Sequence, residues 1–375
     1  MSVKAELSHR LNQVRNLMRE RGLDVLVAYY GGQHNMLRPD PIMFMTDYRV
    51  LGPSVLVIPR EGEVQLTITP PWDLPRAREA VTLAAVNAVN EIDLVSTMAC
   101  AMAGGDGQVA LAGTEVMPVG AARALVGALG YKPTDASEMI RSTCRTRQPF
   151  ELSRVEKAAT IADDGFRYLC EIARPGMREY ELAAELEYAM QAAGSEDNFG
   201  LMATGVHNVA VRAVTDRRLE PGDLIVSEIT PCYRGYFAQL CRTLILGVPS
   251  AVQEEKFDLL LRAEDAGLAE ARSGRPSSGI ARAVNEVIAA AGYADYCRPP
   301  FMRTRGHGLG LGGVAPSDLN ETTPGTLERN MTMVIHPNQY IPETGYLMLG
   351  DTVVIEDVGP RLLTRTPRRL FWKEI

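Results

Sequence analysis

Apolar residues at helical spacing open the chain: Leu11, Val14, Leu17 and Met18 recur along 7–21, and Gly22 ends the run. The continuous apolar stretch 24–30, DVLVAYY, predicts a buried strand. Residues 54–58, a turn at 59–62 and residues 63–68 predict a hairpin. A short strand at 109–111 and a helix over 120–129, stopped by Gly130, follow. Strands and helices alternate, as in a small α/β unit. Between them, 33–47 carries two prolines and His34 and predicts a loop.

The pattern changes near 144–150. CRTRQPF is basic, contains a proline and precedes a long helix expected from Glu151. Beyond it the chain echoes itself. Residues 173–194 (ARPGMREYELAAELEYAMQAAG) and 271–292 (ARSGRPSSGIARAVNEVIAAAG) share an Ala-Arg start, a glycine at the fourth position, an apolar-periodic helix and an Ala-Ala-Gly close. Such a unit used twice predicts a pseudo-symmetric domain whose halves enclose a site. The most informative stretch is 223–247, DLIVSEITPCYRGYFAQLCRTLILG, read as two strands joined at Pro231 and Gly235. Its first strand is apolar except for Ser227 and Glu228, and its second carries Gln239, Cys241 and Thr243 at period two. A Glu and a Gln on apolar strands are costly to bury without partners, so both are candidates for a cavity wall. Further on, RGHGLGLGG brings glycines around His307, and MTMVIH ends a strand at His336. The glycine loop lacks the lysine that a P-loop requires.

Composition narrows the classes. The chain has 375 residues, 46% apolar and 23% charged, with a net charge of −7. That is room for two cores and gives no basic run for nucleic acid or an anionic membrane. No apolar stretch reaches spanning length, and the N-terminus reads as a polar amphipathic helix rather than a signal peptide. The six cysteines lack CxxC spacing and look like reduced thiols, so a cytoplasmic location is expected. Histidine is scarce: His9, His34, His207, His307 and His336.

The succession GHGLGL, PGTLERNMTMVIHP and GDTVVIEDVG resembles the pita-bread family of methionine aminopeptidase, aminopeptidase P, prolidase and creatinase. The resemblance implies an α+β chain. A creatinase-type N-terminal α/β domain would span 1–145, a linker 146–150, and a pita-bread domain with an internal pseudo-twofold 151–375. The family's metallopeptidases hold two metal ions with two Asp, one His and two Glu. Those positions fall here on Glu228, Gln239 (GYFAQLCRT), His307, His336 and Gly350, so both bridging carboxylates are missing. The pattern resembles the metal-independent branch, creatinase and ectoine hydrolase, with His207 in VHNV and Glu228 in IVSE at its catalytic positions.

The resemblance implies a non-peptidase hydrolase, without cofactor, cleaving a C–N bond of a small amidine, guanidino or ureido compound. Glu228, His207, His307 and His336 would be catalytic, and Gln239, Cys241, Tyr236, Arg305 and Arg49 would bind substrate. Arg49 would act from a homodimer partner. Three alternatives stand beside this reading. One is a mononuclear iron or zinc enzyme built on Glu228, His307 and His336. The others are an Xaa-Pro peptidase-like enzyme and an inactive binding member of the fold.

Overall fold

The computed structural model describes residues 3–38, 40–93, 107–129, 131–206 and 208–375. His207, Cys100 and the expected helix stop Gly130 lie outside them. The chain divides into two compact units, one of residues 1–145 with 311–314, the other of 146–310 with 315–375. No described helix is long and apolar enough to cross a membrane.

In the first unit, helix α1 (Val3–Glu20) buries Leu7, Val14 and Met18, while Leu11 and Leu17, also expected on the apolar face, are only partly buried. The described strands form one sheet. They are β1 (Val25–Tyr30), β2 (Ser54–Pro59), β3 (Val64–Ile68), β4 (Ala84–Ala88), β5 (Val109–Ala112) and β6 (Thr134–Asp135), in the order β4-β3-β2-β1-β5-β6. The β2–β3 hairpin is antiparallel and β1–β5 parallel. Helices α2 (Pro41–Thr46), α3 (Leu74–Ala80), α4 (Val119–Leu129) and α5 (Ser137–Thr143) complete the unit. Helix α2 replaces part of the expected loop over 33–47. Asp40 caps it, accepting from Met43 N at 2.8 Å, and Pro41 opens its first turn.

The second unit is built from two helix pairs, each followed by mostly antiparallel strands. Helices α6 (Pro149–Ile172) and α7 (Glu179–Ala192) precede β7 (Asp197–Thr204), β8 (Leu224–Tyr233), β9 (Tyr236–Phe237) and β10 (Leu240–Leu246). Helices α8 (Ala251–Glu270) and α9 (Ser278–Ile288) precede β11 (Gly306–Gly308), β12 (Thr332–Ile335), β13 (Gln339–Ile341), β14 (Gly345–Leu347), β15 (Asp351–Ile355), β16 (Pro360–Leu362) and β17 (Phe371–Lys373). The two helices of the sequence echo, α7 and α9, take corresponding places. Helix α6 starts two residues earlier than expected, with Glu151 reaching back to accept from Gln148 N at 2.8 Å.

The strands form the sheets β17-β10-β8-β7 and β11-β12-β15-β16, and Cys241 joins them through a bridge to Gly350. Alternation along β8 decides what each face meets. Ile225 and Ile229 pack under Phe166, Leu182, Leu186 and Met190 of α6 and α7. Val226 points the other way, toward Cys241, Ala203 and Met348. Each fully buried aliphatic or aromatic side chain of these cores contributes about 1.5–3 kcal/mol. Glu228 and Thr230 continue the Val226 face at period two, which puts both on the inner side of the sheet.

Candidate functional site

The inner face carries a polar patch whose register is fixed. Cys241 stands opposite Glu228 and Leu240 opposite Ile229. Ala238 N continues the ladder to Pro231 O, so Gln239 falls opposite Thr230. Glu228 is half-buried, and its carboxylate makes no hydrogen bond among the described residues. Burial pushes its carboxyl up to about 7, against a weaker opposing pull from the charge of Arg303. Thr230 and Gln239 are fully buried, and among the described residues neither Thr230 Oγ1 nor Gln239 Oε1 has a partner. The Gln239 amide nitrogen donates to Cys241 Sγ at 3.5 Å, which turns Oε1 away from the thiol.

Across from the patch, β11 presents His307. Gly306 (φ 138°) makes this possible, because a Cβ there would lie 2.0 Å from Val334 O. His307 Nδ1 lies 3.1 Å from Gly308 O. A carbonyl only accepts, so Nδ1 carries the proton and Nε2 holds a lone pair. Burial lowers the pKa of His307 and brings His336 down to about 3, helped at His336 by His307 and Arg305. Both rings are therefore neutral at pH 7. They meet edge to face with centroids 6.1 Å apart.

His336 sits where it does because residue 350 is glycine. A Cβ on Gly350 would come within 2.5 Å of His336 Cβ and 3.0 Å of Ile335 O. The site also includes residues that sequence reasoning passed over. Asn338 neighbours Cys241 and accepts from Leu349 N at 3.1 Å. Burial, then the neighbouring Glu228 and Cys241, push the Tyr346 hydroxyl up, which sets it beside them. Thr230 is the next inward position after Glu228, Asn338 lies in the link just before β13, and Tyr346 is on β14.

Several expected substrate-binding residues are placed otherwise. All five N–H groups of Arg305 are spent on protein acceptors: Asn285 Oδ1, Pro337 O, Asn338 O, Gln339 Oε1 and Cys297 Sγ. It braces the wall and has no donor left for substrate. The Tyr236 hydroxyl donates to Glu151 Oε1 of α6 at 2.6 Å, a buried structural bond. The Cys241 thiol is fully buried, and burial pushes its pKa up, so it lacks the thiolate character of a nucleophile. Arg49 belongs to the first unit, where its carbonyl accepts from Arg76 at 3.1 Å.

The metal alternative meets a geometric obstacle. Among the described residues, no three His, Cys, Asp or Glu side chains converge to hold a metal ion. His307 and His336 approach each other, but Glu228 does not join them as a third ligand. Gln239 is a weak neutral donor and Gly350 is none. The donor set of this cavity therefore does not fit the expected iron or zinc ion on Glu228, His307 and His336.

Comparison with known proteins supplies the context. The sequence model of Metallopeptidase family M24 matches residues 153–357. An uncharacterized peptidase, YqhT, of Bacillus subtilis is 33% identical over 228 residues, 59% of this chain and 62% of that protein. Two Xaa-Pro dipeptidases follow. That of Pyrococcus furiosus is 31% identical over 60% of this chain and 64% of its own length. That of Pyrococcus horikoshii is 30% identical over 64% of this chain and 68% of its own length. The chain thus spans less than two thirds of the first two relatives. Among solved structures, the prolidase from Pyrococcus horikoshii OT3 superposes with a TM-score of 0.84 at 23% identity, covering 96% of this chain and 99% of that one. Dipeptidase PepE from Mycobacterium ulcerans gives 0.84 at 24% identity, covering 100% of both. These two likenesses establish the shared fold. The relatives overturn the expectation of a non-peptidase hydrolase for amidine, guanidino or ureido compounds, since they are peptidases and dipeptidases. The expected place beside creatinase and ectoine hydrolase likewise gives way to one beside Xaa-Pro dipeptidases.

Proposed function

The chain belongs to metallopeptidase family M24, and from that premise we propose that it is an Xaa-Pro dipeptidase-like hydrolase of short peptides with His307 as its general base. The observation that carries this reading is the fixed tautomer of His307. Its Nδ1–H is tied to Gly308 O, leaving the Nε2 lone pair in a wall shared with His336. Nε2 takes a proton from water, and the water oxygen adds to the carbonyl carbon of the scissile amide. The C–N bond then breaks, and the same proton passes to the leaving nitrogen. Such positioned proton transfer is worth about 10²–10⁴ in rate. His336, held neutral, hydrogen-bonds the water or the new oxygen. Among the described residues, the metal that the family name implies finds two converging side-chain donors here, His307 and His336, and no step is assigned to it.

The division into a domain over 1–145, a linker over 146–150 and a catalytic domain over 151–375 belongs to the same proposal, and the two compact units support it. So do a homodimer and a cytoplasmic location, which rest on the family resemblance and on six cysteines without CxxC spacing. The test is release of proline from a panel of Xaa-Pro dipeptides. Wild type should turn over at least one of them, and His307→Gln should lose about 10²–10⁴ of the rate with its fold intact by circular dichroism. Equal rates for the two proteins would remove His307 from the mechanism. A second reading, a binding member without turnover, is favoured by Gln239 and Gly350 at the lost carboxylate positions. Binding of the panel by wild type with no proline released would select it.

A further inference from the structure

We infer that a cavity between helix α6 and the C-terminal segment 365–372 binds a planar aromatic monocarboxylate. The segment is pinned to the helix at two places. Asp163 accepts from the backbone N–H groups of Arg365 and Thr366, each at 2.8 Å. Lys373 Nζ donates to Glu171 O and, at 3.0 Å, to Ala173 O. The pins lie about 12 Å apart along α6. Between them is a cavity of about 690 Å³ with helix and segment both in its wall. The far side of the segment is fixed as well, because β17 pairs with β10. A preformed cavity of this size holds a small molecule. It lies on the helix-covered face of the sheet, where Phe166 packs with Ile225 and Ile229, opposite the face that carries Glu228. The inference therefore does not rest on the peptidase reading.

One side of the cavity is aromatic. Phe166 and Phe371 meet edge to face with centroids 4.9 Å apart, and Trp372 also lines the cavity while 50% exposed. The charged groups in the wall are partly matched to one another. Asp164 pairs with Arg167 at 2.8 Å, and both Asp163 oxygens are occupied by the backbone of 365 and 366. The guanidiniums of Arg365 and Arg369 have no hydrogen bond and no carboxylate among the described residues. Arg369 Cζ lies 4.9 Å from the Phe371 ring centroid, which sets one of these cations against the aromatic side. A guanidinium can take a carboxylate through two parallel N–H bonds and stack on a flat ring. Phe371 and Trp372 supply further ring surface for the body of such a ligand. An uncharged aromatic would leave both guanidiniums unmatched, and an ammonium would be repelled by them. One negative charge suits the cavity better than two, because the carboxylates of Asp163 and Glu171 share its wall.

The test is titration of the full chain with 2-naphthoate, its uncharged isostere 2-naphthamide, and adenosine monophosphate. Affinities come from calorimetry. Location comes from the indole N–H signal of Trp372, the one tryptophan left in a Trp72→Phe background. Wild type should bind 2-naphthoate about tenfold or more tightly than 2-naphthamide, and the bound ring should shift the Trp372 signal. Arg365→Gln combined with Arg369→Gln should erase that preference with the fold intact, since both side chains are exposed and unbonded. Trp372→Leu should weaken 2-naphthoate several-fold. No binding of 2-naphthoate, equal affinity for the amide, a preference that survives the double variant, or a Trp372 signal that ignores bound 2-naphthoate would overturn the inference. Tighter binding of adenosine monophosphate would overturn it in favour of a phosphate ligand. A Trp372 signal that moves with protein concentration but not with 2-naphthoate would overturn it in favour of a second copy of the chain.

Discussion

Replacing Gly350 with Ala tests whether the cavity wall depends on a missing side chain. The added Cβ would meet His336 Cβ at 2.5 Å, His336 Cα at 3.1 Å and Ile335 O at 3.0 Å. Carbon atoms pack without repulsion at about 3.5–4.0 Å, so something must move by roughly 1 Å. The backbone at 350 has little room to do so. Gly350 N and O each exchange a 3.0 Å hydrogen bond with Cys241, and Gly350 O also accepts from Arg242 at 3.0 Å. Arg242 is held in turn by Asp351 at 2.8 Å and Thr366 O at 2.7 Å. Forcing one carbon into such a contact costs about 1–3 kcal/mol. Loss of glycine's freedom in the unfolded chain returns about 0.4–1 kcal/mol. The net expectation is destabilisation by about 1–2 kcal/mol. Two tryptophans, Trp72 and Trp372, lie in different units. In a Trp72→Phe background, urea unfolding followed by Trp372 fluorescence reports the second unit alone. Unchanged or increased stability of Gly350→Ala would refute the reasoning and free residue 350 from any part in seating His336.

Two further expectations concern carboxylates. Glu179 is buried, and burial pushes its pKa up. The hydrogen bonds from Arg212, Thr204 and Thr215 outweigh that and hold it at about 2, against its usual 4.5. Its contribution is full above pH 4.5 and is lost as pH falls toward 2; it amounts to about 3 kcal/mol, and Glu179→Gln should abolish that acid window in urea midpoints taken across the range. At Glu228 the sign is opposite. Burial holds its carboxyl up near 7 against its usual 4.5, with Cys241, Tyr346 and the more distant Arg303 as its titratable or charged neighbours. Its ionisation therefore opposes folding: stability should fall as pH rises from 4.5 toward 7, and Glu228→Gln should remove that slope from urea midpoints; an unchanged slope in the variant would refute the assignment.

What the sequence disclosed follows from which signals are local. The apolar run of β1, the β2–β3 hairpin and the inward set on β8 and β10 depend on neighbours two or four residues away, so periodicity alone placed them. Helix α2 escaped because 33–47 was judged by its prolines. Asp40 followed by Pro41 is a cap and a first-turn residue, and the two together were a helix start in plain view. Arg305 escaped for a different reason. Its acceptors lie on α9, around β13 and in the segment after α9, between 8 and 34 residues away, and nothing near GHG announces them. An arginine beside a glycine loop looks like a substrate ligand until its five donors are accounted for.

Gly350 shows how far a lost ligand can mislead. In the sequence it is only the place where a carboxylate is missing, and the missing charge suggested a substrate unlike a peptide. In the structure the absence has a positive consequence. Glycine lets β15 begin in close contact with the end of β12, which holds His336 against the strand and joins the two sheets through Cys241. The absent carboxylate at 350 and the seated, neutral imidazole of His336 are therefore one feature of the packing. That packing says nothing against a peptide.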